Sequence, residues 1–144
     1  MGPGFFEMVR DAFEGFVATV PGQRNSYVHG RGIKVWFGDD TREHYEAQLI
    51  RVEGVEQLEI GFHSEHPKAP LNDAVLKRMV AAEKQWRGDL GKEAEAGHFI
   101  GRTGWRRISE VWPVPDGDES VDAAIDTAAR LADYVLALEP VRRR

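Results

Sequence analysis

Two segments of this chain, His44 to Val52 and Val55 to His63, alternate apolar with polar residues and are joined by Glu53-Gly54. A two-residue acidic-glycine connection between alternating runs is the strongest short-range hairpin signal, because such residues accept the positive φ angles of a turn that matches strand twist. Val52 then faces Val55, and the register of the whole hairpin follows from that pair. On one face Leu49 meets Leu58, Ala47 meets Ile60 and Tyr45 meets Phe62, an apolar surface fit to pack on helices. On the other, Ile50 meets Gln57, Gln48 meets Glu59, Glu46 meets Gly61 and His44 meets His63. Two histidines and two carboxylates share this second face, and Gly61 is expected to open space above the pleat. Imidazole and carboxylate together suit zinc, manganese or non-haem iron, and they equally form a general acid/base pair. Directly opposed histidines have Cβ atoms about 5 Å apart, close enough to chelate one ion. The bland alternative is a solvated sheet face, which is filled with such residues without any ion. No fixed ligand motif is present: His63 and His66 do not have the helical H-E-x-x-H spacing, and Pro67 argues against a helix there.

A second group, Gly101-Arg102-Thr103-Gly104-Trp105-Arg106-Arg107, sets three arginines and a tryptophan around two glycines. Arginine binds phosphate or carboxylate bidentately and stacks on aromatic rings, so Arg102, Trp105, Arg106 and Arg107 are candidates for holding a small anion or a nucleotide. The competing reading is a hairpin turn whose arginines pair with Glu93, Glu95 or Asp116. Glu110 is placed to reach the same surface as Arg106. The segment has no G-x-x-x-x-G-K signature and no helix directly after it, so it is not a phosphate loop. Serine catalysis has little support, since none of Ser26, Ser64, Ser109 and Ser120 lies in G-x-S-x-G. Ser64 between His63 and Glu65 is a triad in letters only, because strand neighbours point to opposite faces.

The elements that must position these residues can be read from periodicity. A first helix spans roughly Pro3 to Val20, with Phe5, Val9, Ala12, Phe13, Phe16 and Val20 on one stripe, a load that serves as core or as a contact with another subunit. Tyr27 to Phe37 reads as a strand with a bulge or turn at its two glycines. After the hairpin, Pro67 and Pro70 end strand structure, and a helix from about Leu71 to Leu90 carries Leu71, Val75, Met79, Ala82, Trp86 and Leu90 at helical spacing, with Gly91 as its stop. Two more strands follow at Gly97 to Arg102 and Trp105 to Val114, closed by the turn Asp116-Gly117-Asp118. Ser120 suits the N-cap of a last helix, with Glu119 and Asp122 near its positive end; Pro140 is expected to end it and leave Arg142-Arg143-Arg144 exposed. The resulting order, α-β-β-β-α-β-β-α, predicts a two-layer α+β fold with an antiparallel sheet of about five strands, residues 1–144 forming one domain.

Composition narrows the partners. In 144 residues, 24 acidic against 19 basic side chains give a net charge of -5, which draws the protein to neither nucleic acid nor an anionic membrane. Cysteine is absent, which excludes disulfides, thiolate metal sites and cysteine nucleophiles together. Met1-Gly2-Pro3-Gly4 lacks a basic n-region, and Glu7, Arg10, Asp11 and Glu14 interrupt the apolar stretch after it, so a cytoplasmic protein without signal peptide or membrane helix is expected.

Tyr45-Glu46-Ala47-Gln48, Glu59-Ile60-Gly61-Phe62-His63-Ser64-Glu65-His66, Glu83 with Trp86-Arg87, Trp105-Arg106-Arg107-Ile108-Ser109-Glu110, and Leu131-Ala132-Asp133-Tyr134 with Leu138-Glu139-Pro140 resemble stretches of uncharacterised actinobacterial hypothetical proteins. The resemblance spans roughly His44 to Arg142 and implies no residue roles. The element order is also similar to that of type III secretion chaperone-like domains, which implies partner binding without catalysis. The leading expectation is therefore a non-catalytic protein-interaction or small-ligand-binding module, homodimeric through the Phe-rich helix or another helix face, with no cofactor required. The alternatives are a small metal-dependent or acid/base enzyme using His44, Glu46, Glu59 and His63, with a divalent metal as its cofactor, and a nucleic-acid-associated protein using the arginines.

Overall fold

A computed structural model describes residues 4–115 and 120–144, so the expected roles of Pro3, of the turn Asp116-Gly117-Asp118 and of Glu119 lie outside the described residues. The elements run α1 (Phe5–Phe16), β1 (Arg24–His29), β2 (Gly32–Phe37), β3 (Glu43–Val52), β4 (Val55–Ser64), α2 (Ala69–Ala81), α3 (Glu83–Leu90), β5 (Glu95–Phe99), β6 (Arg102–Pro113) and α4 (Ser120–Arg142). The strands form one antiparallel sheet in the order β1-β2-β3-β4-β6-β5. The fold is α+β, with six strands where five were expected. The additional strand arises because Gly30-Arg31 is a full turn and not a bulge: it folds Tyr27 to Phe37 into two strands that pair with each other.

The β3–β4 register agrees with the expectation at every named pair, from Val52↔Val55 to His44↔His63. Glu53 and Gly54 have φ of 51° and 79°, the left-handed conformations that a two-residue turn of this type requires. Ile33, Val35, Tyr45, Ala47, Leu58, Ile60, Phe62 and Ile108 bury the inner sheet face against the helices. Hydrogen bonds from helix side chains reach this face of the sheet. Asn72 of α2 accepts from Ser64 Oγ at 2.9 Å, and Tyr134 and Arg130 of α4 donate to Glu110. Phe5, Phe6 and Phe13 are buried in this core with Leu131, Val135 and Leu138. Of the phenylalanines of α1, Phe5, Phe6 and Phe13 supply core and Phe16 is substantially exposed.

Two helix boundaries differ from expectation for local reasons. The run from Leu71 to Leu90 is two helices, broken at Ala82, and the Trp86 indole N–H donates at 2.9 Å to the Met79 carbonyl that a continuous helix would have given to the backbone of Glu83. Pro140 does not end α4. Its missing N–H removes the i–4 donor of the Leu136 carbonyl, and Leu136 lies on the exposed side of the helix.

The C-terminal arginines are correspondingly not a free tail. Glu139 is buried and accepts from Tyr45 Oη at 2.8 Å, from Arg142 at 2.6 Å and from Arg143 at 2.8 Å. Burial alone would raise the Glu139 pKa, but the two guanidinium groups and the Tyr45 hydroxyl outweigh it and lower it below the usual carboxylate value. A carboxyl with a lowered folded pKa stabilises the fold above its unfolded value, near 4.3, and loses that contribution as pH falls through the folded pKa. Urea midpoints for wild type and Glu139→Gln should therefore differ most near neutrality and converge below about pH 4. A gap that does not narrow in acid would refute this role.

Candidate functional site

Strand alternation places Glu46 and His44 of β3, Glu59 and His63 of β4, and Arg107 and Ser109 of β6 on the outer face, away from the helices. The expectation of a solvated face is wrong here: His44, Glu59, His63 and Ser109 have no exposed surface, and Glu46 retains 5%. Side chains of the sheet itself supply part of the cover. Phe99 of β5 lies edge-on to His63 with centroids 4.6 Å apart, Trp105 packs on Phe99 at 5.4 Å, and Arg102 lies 4.6 Å over the Trp105 ring.

Gly61 does not open empty space. A Cβ there would fall 2.4 Å from the Ile108 carbonyl oxygen and 2.5 Å from Cα and Cβ of Ser109. The missing side chain lets β6 come close, and Ser109 occupies the room. From there its hydroxyl donates to Glu59 Oε2 at 2.7 Å and accepts from Arg107 Nη1 at 2.8 Å. Gln48 donates to the other Glu59 oxygen at 2.9 Å.

The two imidazoles are oriented from behind. His44 Nδ1 lies 2.9 Å from the Thr41 carbonyl and His63 Nε2 lies 2.8 Å from Glu59 Oε2. Their other nitrogens, His44 Nε2 and His63 Nδ1, turn toward each other's surroundings and share two carboxylates. Glu46 Oε1 is 3.0 Å from the first and 3.1 Å from the second; Glu65 Oε2 is 3.4 Å and 3.3 Å from them. All the acceptors are carbonyl or carboxylate oxygens, so without an ion both nitrogens of both rings carry hydrogen. Electrostatics agrees with that state. Burial opposes charge on His63, but Glu59 together with hydrogen bonds to Glu46, Glu59 and Glu65 raises its pKa well above the ordinary value. His44 is raised more modestly against the same burial by Glu46 and Glu65. Burial likewise works against Glu46 and Glu65 ionising, yet the histidines prevail and hold Glu46 far below the carboxylate range and Glu65 at about 2.

Sequence reasoning placed His44, Glu46, Glu59 and His63 on one face, and the structure brings all four together. Glu65 is the member that the sequence reading missed, because Pro67 and Pro70 signal the end of strand structure close behind it. The period of two that links Glu59, Gly61 and His63 continues one step to Glu65, whose N–H still bonds to the Arg42 carbonyl at 2.7 Å. The arginine group does not converge. Arg106 faces the helices, 3.7 Å from Asp73 and bonded to the Thr103 and Trp105 carbonyls. Arg107 lies on the outer face, paired with Glu95 at 2.8 Å and bonded to the His98 carbonyl. Glu110 is taken up by Arg130, Tyr134 and Trp112 on the helix side. Four surface concavities, at Trp112 to Pro115 with α4, beside Arg107 and Glu93, between α3 and β5, and between Val20 and Leu136, include none of the five clustered acids and histidines. No helix among the described residues is long and apolar enough to cross a membrane. Comparisons with protein-family models, with curated proteins and with solved structures find no match to this chain.

Proposed function

We propose that the protein is a non-catalytic binding module whose ligand site is the buried cluster of His44, Glu46, Glu59, His63 and Glu65. One observation carries this reading: the histidines and Glu59 are fully enclosed, with every polar atom near them engaged. A general acid or base must reach a proton on its substrate, and an organic substrate has no approach to these nitrogens. The burial of so many opposed charges beside one another supports the same reading, because such arrangements cluster at functional sites. Self-association belongs to the same proposal, now through α4, where Val121, Ile125 and Leu136 remain exposed. Light scattering should then give twice the monomer mass.

The ligand site is tested by thermal shift against a panel of small inorganic anions and of monovalent and divalent cations, run in parallel on wild type and His44→Gln. At least one ligand should raise the wild-type midpoint by several degrees and leave the variant unmoved, since a ligand at 100 times its Kd adds about 2.7 kcal/mol. A panel in which no shift depends on His44 would reject the proposed site.

A further inference from the structure

Resting on the binding-module reading, we infer that the ligand is a single divalent transition-metal ion of the zinc type, held by His44 Nε2, Glu46 Oε1, His63 Nδ1 and Glu65 Oε2. These four atoms alternate nitrogen and oxygen around a ring of contacts of 3.0, 3.1, 3.3 and 3.4 Å, all of them lying within 4.8 Å of one another. Bonds of about 2.0–2.1 Å to a tetrahedral ion put neighbouring ligand atoms about 3.3 Å apart. The four nitrogen–oxygen distances therefore already stand near coordination spacing, the like-atom pairs lie within 4.8 Å, and the two hydrogens that an ion would displace lie along the nitrogen–oxygen contacts. An ion of charge +2 replaces those two hydrogens without altering the net charge of the enclosure. Nothing larger has room there, which turns a site that excludes organic ligands into one that admits a bare cation.

The outer ring of contacts supports the same assignment. A metal-bound histidine needs its remote N–H held by an acceptor, so that the tautomer and ring plane are set before the ion arrives. His44 has the Thr41 carbonyl for this, and His63 has Glu59, which is itself held by Gln48 and Ser109. Glu59 is thus a positioning residue and not a ligand. The donor set of two imidazoles and two carboxylates selects against Mg2+ and Ca2+, which take oxygen shells of six or more, and the absence of thiols removes preference for copper(I). With four protein donors and little exposure, the centre is closed and holds structure; it keeps no position for a reacting water.

The test uses the full chain stripped with a chelator and titrated with Zn2+ against a chromophoric competitor. One equivalent should bind per chain, with affinity lowered at least about 100-fold in His63→Gln and about 10- to 100-fold in Glu59→Gln, the usual effect of losing an outer partner. His66→Gln should bind like wild type, because the neighbouring Asp40, Glu43 and His66 group lies outside the centre. Co2+ in place of Zn2+ should give the intense visible absorption of a four-coordinate ion, a readout that needs no variant to fold. Binding that survives His63→Gln but disappears in His66→Gln would overturn the assignment, as would a weak six-coordinate Co2+ spectrum. A His44-dependent thermal shift with another ligand, without Zn2+ binding, would refute the metal and leave the binding module standing. Absence of both would remove the two together.

Discussion

Glu59→Ala should destabilise the fold by about 3–5 kcal/mol, the range for removing one member of a buried ion pair while its partner stays behind. The carboxylate is fully enclosed and satisfies three groups at once: His63 Nε2, the Ser109 hydroxyl and the Gln48 amide. Its loss strands a buried imidazole that its remaining neighbours still drive toward charge, and leaves two further donors without acceptors. Ser109→Ala is the contrasting case. It removes one neutral donor from Glu59 and one acceptor from Arg107, and it should cost about 1 kcal/mol. Urea unfolding at neutral pH with wild type and both variants checks the ordering. A cost for Glu59→Ala no larger than that for Ser109→Ala would mean that solvent reaches His63, contrary to the packing of Phe99 over it.

The contrast between these two side chains also marks how far the sequence could be read. Glu53-Gly54 sets the hairpin register because turn geometry and a period of two leave no freedom, and that register alone brought His44, Glu46, Glu59 and His63 onto one face. Which face would be covered was not legible. Alternation distinguishes the two sides of a strand but says nothing about what lies over them, and part of the cover here comes from β5 and β6, more than thirty residues further along the chain. The same limit explains the arginines. Arg106 and Arg107 are adjacent as letters, and adjacency in a strand sends them to opposite sides. The breaks at Gly30-Arg31 and Ala82 were obscured for a different reason: apolar spacing passes through both points almost undisturbed, while the backbone bonds that decide them are local. Pro140 shows the converse, a strong local signal overruled where the helix beyond it is held by the ion pairs of Glu139 with Arg142 and Arg143.

Gly61→Ala should cost more than about 3 kcal/mol, although replacing glycine within a strand ordinarily gains about 0.5–1 kcal/mol from the unfolded chain. The sign turns on space. The added carbon would meet the Ile108 carbonyl oxygen at 2.4 Å and Ser109 Cα at 2.5 Å, and both are backbone atoms that no rotamer change can move. Relief requires β6 to retreat from β4, which lengthens the ladder through Gly61↔Ser109 and Phe62↔Ile108 and draws the Ser109 hydroxyl away from Glu59. The substitution therefore acts on the fold and on the buried cluster through one displacement. Adding Ser109→Gly to Gly61→Ala tests that mechanism, since it deletes the third clashing atom, Ser109 Cβ, and spares the two backbone contacts. Partial recovery of stability is expected, with the lost hydroxyl still leaving Glu59 short of one donor. Full recovery would place the clash in the serine side chain alone, and an unaltered midpoint for Gly61→Ala itself would show that β6 does not approach β4 as closely as the packing at Gly61 requires.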